Sequence, residues 1–170
     1  MRRLLAIVLL AVVACAGDDD TGDDGIVDRT RQVPEDVQAF LDRVVADPAD
    51  LTLDLTYDVL NKNGGGEHVV VVTSPPFAVT VDGAPVDATD DVALSRYGIF
   101  TGFLATNPRA AIEATARRED AEDAVFTERN GMDCIAIPVQ GAATSMWCLT
   151  DDGIFGYVDS PSVRYERRPG

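Results

Sequence analysis

The chain has 170 residues, with 29 Asp and Glu against 14 Lys and Arg and a formal net charge of −15. That balance excludes a duplex nucleic acid partner, because phosphate contact needs a basic face, and it opposes electrostatic docking on anionic lipid. Aromatics are sparse at 6%, so Val, Leu, Ile and Ala must supply most of the packing.

Arg2 and Arg3 open the chain with positive charge, and Leu4 to Ala14 is an unbroken apolar run of 11 residues. As a helix that run covers roughly 17 Å, against a hydrocarbon core of about 30 Å. It is too short to span a bilayer and has the length and flanks of a secretory signal, expected over residues 1–14. Val12-Val13-Ala14-Cys15 resembles the bacterial lipobox. The resemblance implies a diacylglyceryl thioether on Cys15 and cleavage after Ala14. Two or more acyl chains anchor stably where one binds only marginally. The plainer alternative is an ordinary secretory signal with a chance cysteine. The lipoprotein reading places the domain on the outward face of the cell membrane, or on the outer membrane or periplasmic side in a Gram-negative host. Loss of Arg2 and Arg3 with the leader takes the net charge from −15 to −17, so lipid alone must supply the membrane attachment.

Residues 16–25, Ala-Gly-Asp-Asp-Asp-Thr-Gly-Asp-Asp-Gly, carry like charges in runs without apolar periodicity. Residues 15–33 are therefore expected to form an acidic, disordered tether with a reach of roughly 20–25 Å. The aspartates lack the spacing of an EF-hand, so they read as solvated charge rather than a calcium site.

From Pro34 to the end the chain is long enough for one domain with a sizeable core. Val37, Phe40, Leu41, Val44 and Val45 form one helical stripe, predicting a helix over 34–46 with Pro34 in its first turn and Asp47-Pro48 as its stop. Leu51 to Val59 then alternates apolar and polar residues, as a half-buried strand does. Asn63-Gly64-Gly65-Gly66 turns the chain into a strand over 67–73, Pro75-Pro76 breaks it, and 77–82 gives a third. Residues 90–120 read as helical. Asn107 is the expected cap of a second helical piece, with Pro108 at its first position. The first piece, with Ile99, Phe100, Phe103 and Leu104, is weakened by Gly98 and Gly102.

The last third returns to strands. Asn130-Gly131 is the strongest short hairpin signal, between strands over 124–129 and 133–139. Further strands are expected over 144–150, 154–158 and 163–166. With Cys15 taken by the anchor, Cys134 and Cys148 remain as an even pair in an exported domain, which reads as a disulfide worth roughly 3 kcal/mol. A metal or redox pair is the weaker reading, since no C-x-x-C occurs and His68 is the only histidine. Placing Cys134 opposite Cys148 puts Ile135 opposite Trp147 and Ala136 opposite Met146. It also centres the turn on Gly141, where a turn residue already stands. The sum is an α+β domain of about eight strands in a meandering antiparallel sheet, with helices against one face.

This element order resembles the LolA-like lipoprotein carriers, in particular the small exported lipoproteins of actinobacteria related to lipoarabinomannan and phthiocerol lipid carriers. The likeness lies in Thr56-Tyr57-Asp58-Val59-Leu60 before a glycine turn. It continues in Asp133-Cys134-Ile135-Ala136-Ile137-Pro138 and Trp147-Cys148-Leu149-Thr150-Asp151-Asp152-Gly153. It implies a strongly curved antiparallel half-barrel closed by helices, with an apolar cavity between sheet and helices that holds acyl chains. This chain is shorter than those carriers, which points to a reduced cavity or none.

Chemistry that would mark an enzyme is missing. No nucleophile–base constellation is visible, no G-x-S-x-G and no phosphate loop, and His68 is expected on the wet face of its strand. No cofactor is implied. Leu53, Leu55, Tyr57, Ile99, Phe100, Phe103, Leu104 and Trp147 are the candidate lining of an apolar ligand cavity, with ordinary core packing as the alternative for all eight. Two functions stay open. One is a non-enzymatic, membrane-anchored carrier of an acyl or other apolar ligand at the cell envelope. The other is a ligand-free module that presents an acidic surface to an envelope protein.

Overall fold

The structure is a computed structural model and describes residues 31–169. The expected signal segment, Cys15 and the tether as far as residue 30 lie outside the described residues. Nine strands form one sheet: β1 Leu53–Asn61, β2 Gly66–Ser74, β3 Ala78–Val81, β4 Ala84–Val86, β5 Val125–Arg129, β6 Met132–Ile137, β7 Ser145–Leu149, β8 Phe155–Asp159 and β9 Val163–Arg167. Three α-helices accompany them: α1 Glu35–Leu41, α2 Asp91–Ser95 and α3 Thr106–Ala116. The order is β4-β3-β2-β1-β9-β8-β7-β6-β5. The domain is thus α+β with an open antiparallel sheet. The β1–β9 pairing joins a meander on each side, and the helices lie in the excursion between β4 and β5 and ahead of β1.

Alternation decides which face each strand buries. In β1, Leu53, Leu55, Tyr57 and Val59 are buried, while Asp54 and Asp58 point to solvent. Asn130 and Gly131 take φ of 51° and 77°, the two left-handed residues that a tight turn between twisted strands requires. Cys134 stands opposite Cys148, Ile135 opposite Trp147 and Ala136 opposite Met146. The disulfide is formed, as the even pair of remaining cysteines predicts. The core collects one face of the sheet against Val37, Phe40 and Leu41 of α1, Leu94 of α2, Ile112 and Ala116 of α3, and the segment Ile99–Ala105.

Several expectations need correction. Helix α1 ends at Leu41 rather than at residue 46, because the Val45 amide donates to the Gly153 carbonyl at 2.8 Å. A tertiary hydrogen bond replaces the helical one, and Val44 is still buried. The segment around Phe100 and Phe103 is not helical: Gly98 and Gly102 hold φ of 80° and 74°, which a right-handed helix forbids. Asn107 does not cap α3, which begins at Thr106 after Ala105 with no side-chain cap and carries Pro108 inside its first turn. A ninth strand, β4, follows the turn at Asp82 and Gly83.

Candidate functional site

Seven of the eight candidate lining residues come together. Leu53, Leu55, Tyr57, Ile99, Phe103, Leu104 and Trp147 are buried and belong to one packed cluster. The ring of Phe103 lies edge-on to Tyr57 at 6.0 Å and to Tyr165 at 5.9 Å, and the two tyrosines meet edge-on at 5.9 Å. This is the geometry that aromatic quadrupoles favour. Both phenols are satisfied by main chain: Tyr57 donates to the Phe155 carbonyl at 3.2 Å and Tyr165 to the Phe103 carbonyl at 2.6 Å. Burial pushes both hydroxyls above the ordinary tyrosine range, so they remain neutral donors. Phe100 is the exception. It is 42% exposed and stands outside the cluster.

The segment 98–105 is fixed at several points. The Phe155 amide donates to the Leu104 carbonyl at 2.8 Å. Asp91 accepts from the Thr101 amide at 2.7 Å, which holds its carboxyl below the usual range. The Asn61 side chain donates to the Arg96 carbonyl at 3.2 Å and packs against Gly98. The loop therefore covers the core face, and hydrogen bonds with three elements, α2, β8 and β9, hold it there.

His68 does not lie on the wet face. Its strand parity matches buried Val70 and Val72. Its Nδ1 faces Asp82 at 2.8 Å, its Nε2 faces the Gly65 carbonyl at 2.9 Å, and its ring packs edge-on to Tyr97 at 4.9 Å. Asp82 also accepts from the Val69 amide at 2.9 Å. The histidine ties two turns together and presents no free nitrogen to a substrate. Among the described residues no group of three or more His, Cys, Asp or Glu is placed to hold a metal ion.

The opposite face of the sheet carries a different chemistry. A groove of about 1080 Å³ runs across it, floored by Leu60, Val69 and Met132 and walled by charged side chains. Register places Asp58 beside Glu166, two like charges on adjacent strands. Each has its own arginine. Arg168 grips both oxygens of Asp58 at 3.0 and 3.1 Å and holds its carboxyl below the usual range. Arg129 reaches both oxygens of Glu166 at 3.0 and 3.1 Å, with its guanidinium 4.1 Å above the Tyr157 ring. Under it lies a small second core of Cys134, Cys148 and Tyr157, flanked by Met132 and Met146.

No family model, curated protein or solved structure matches the chain. The site rests on its own geometry. Two of its features went unread in the sequence. One is the arginine pairing across the outer face, which joins residues as far apart as Asp58 and Arg168. The other is the exposure of Val125 and Phe126 on β5, at 52% and 46%. Their signal was their adjacency: neighbouring strand residues point to opposite faces of a sheet, so Val125 and Phe126 could not both enter one core.

Proposed function

We propose that this chain is an exported lipoprotein, moored to the outward face of the cell membrane by acyl groups on Cys15, whose folded domain is a non-enzymatic interaction module. The observation that carries the reading is the packing of its supposed cavity. A carrier of apolar ligands needs roughly 300–1,000 Å³ of apolar space. Here Leu53, Leu55, Tyr57, Phe103, Leu104 and Trp147 fill one another's surroundings, with both tyrosine hydroxyls bonded across them. What the molecule offers to partners is its surface, which is acidic overall.

A curved half-barrel is the form of sheet that fits this reading, with the helices on its core face as in the LolA-like carriers. What supports the curvature is Arg129. Strands β5 and β9 are separated by three others, about 19 Å if flat. No arginine spans that distance, yet Arg129 of β5 bonds Glu166 of β9. No helix of the described residues is long and apolar enough to cross a membrane, and in this reading attachment is through lipid.

The test combines fractionation with cross-linking in the host. Cys15→Ser protein is expected to leave the membrane fraction and to lose fatty-acid label. Photo-reactive residues placed on exposed strand positions of the wild type are expected to capture a discrete envelope protein. An undiminished membrane fraction for Cys15→Ser, or no capture from any face, overturns the reading.

The exposure of Phe100 favours a second reading, an acyl carrier whose 98–105 segment peels away to admit ligand. That motion must break the Tyr165–Phe103 and Phe155–Leu104 hydrogen bonds together. Saturable binding of a fluorescent fatty acid, stronger in Tyr165→Phe than in wild type, would establish it.

A further inference from the structure

Two strands end the sheet, and they differ. Strand β4 is three residues long, and Pro85 at its centre has no amide hydrogen to offer, a common way of blunting an edge. Strand β5, Val125-Phe126-Thr127-Glu128-Arg129, is five residues long and contains no proline. It pairs with β6 on one side and with no described strand on the other.

The two-residue turn fixes which backbone groups that open side presents. Arg129 and Met132 close the turn as a hydrogen-bonded pair, so bonded and non-bonded pairs alternate back along the hairpin. Val125, Thr127 and Arg129 spend their amides and carbonyls on β6. Phe126 and Glu128 point theirs outward. Around these free groups the side chains are apolar at one end, where Val125 and Phe126 remain about half exposed on opposite faces of the strand. Phe126 has one described ring neighbour, Phe40 of α1, at 6.4 Å.

Charge chooses the partner. Immediately before β5 stand Glu119, Glu122 and Asp123, all exposed, and Glu128 is exposed within it. A second copy of this chain would bring together two molecules of net charge −15, and that repulsion opposes self-pairing. An extended segment with alternating apolar residues and basic residues after them meets both features when it runs antiparallel to β5.

We propose that the open edge of β5 is a docking site for an extended strand of a partner protein, apolar over the length of Val125 to Thr127 and Lys/Arg-rich where it passes residues 119–123. Main-chain bonds to Phe126 and Glu128 give the affinity of such strand addition, and the side chains and charge give its selectivity. The inference rests on the interaction-module reading and names its surface.

The test uses the mature chain and two fluorescent peptides, Val-Thr-Val-Thr-Val-Arg-Lys-Arg and the same sequence ending Glu-Asp-Glu. The basic peptide is expected to bind, to weaken as salt rises, and to shift the amide resonances of Phe126 and Glu128. The acidic peptide is expected to bind at least tenfold more weakly. Glu128→Pro removes an outward amide and no ladder bond, so the domain should fold and lose at least tenfold in affinity. Glu128→Gln, which keeps the amide, should lose much less. Equal binding by the two peptides, full affinity in Glu128→Pro, or a dimer joined through β5 overturns the proposal. Cross-links in cells that map to the outer-face groove instead would remove this site and leave the interaction-module reading standing. Absence of any envelope partner would remove both.

Discussion

Replacing Phe103 by alanine separates a packed interior from a ligand space. The side chain is 5% exposed and is gripped edge-on by Tyr57 and Tyr165. Its neighbours Leu104 and Ile99 are buried with it, and Tyr165 bonds its carbonyl, so the site has little freedom to collapse. Truncation of such a phenylalanine costs about 3–5 kcal/mol. A domain of this length has roughly 7–20 kcal/mol of stability at about 0.05–0.15 kcal/mol per residue. The variant should therefore fold but melt roughly 12–20 °C lower, at about 4 °C per kcal/mol. Trp147, the one tryptophan, is 3% exposed in the same cluster, so its fluorescence follows urea unfolding of the region directly. A loss below about 1 kcal/mol, with the slope against urea unchanged, would mean that Phe103 borders empty or ligand-filled space. That result would refute the packed-core argument.

Other outcomes follow from the same structure. Replacing Cys134 and Cys148 together by alanine should cost about 3 kcal/mol and lower the urea midpoint, and dithiothreitol should reproduce the loss in wild type. Gly153→Ala should be among the costliest single changes outside the aromatic cluster. Gly153 has φ of 75°, and a Cβ there would sit 2.6 Å from the Arg43 carbonyl and 3.1 Å from the Val45 amide. The left-handed conformation alone costs about 1–2 kcal/mol for a residue with a side chain, and the clash adds to it. Acid should destabilise the fold. Asp58 is held low by Arg168, Asp82 first by the Val69 amide and then by His68, Asp87 by Thr89, Asp91 by Thr101 and Asp120 by Arg118. A carboxyl depressed in the native state contributes above its unfolded value near 3.9 and loses that contribution as pH falls through the native value. Stability is thus expected to be flat above about pH 5 and to drop below about pH 4. Asp91→Asn should shallow the acid limb in urea titrations run from pH 6 to pH 2.5.

Where a local rule and the tertiary fold agreed, the sequence was readable. The alternation of Leu53, Leu55, Tyr57 and Val59 set the buried face of β1. The cysteine pair and Gly141 together fixed the β6–β7 register to the residue. The hairpin at Asn130-Gly131 needed no tertiary help. Elsewhere distant partners decided. Val44 and Val45 continue a helical stripe, but Gly153, far along the chain, takes the Val45 amide. Ile99, Phe100, Phe103 and Leu104 have helical spacing, but glycines on either side of Phe100 turn the backbone left-handed and leave that ring outside. His68 stands just ahead of an apolar run, Val69 to Val72, that carries no parity signal, so either face was consistent with the pattern. Seven of the eight candidate cavity residues do belong together, Phe100 being the one that does not. Whether they surround a space or fill it depends on side-chain packing, which periodicity does not encode.

The native mass of the protein, released gently from its host's membrane, tests the central claim most directly. The expected species begins at Cys15, carries acyl groups on that residue, and holds no other apolar molecule. A stoichiometric lipid that departs on activation, or a chain beginning elsewhere without acyl mass, would contradict the account.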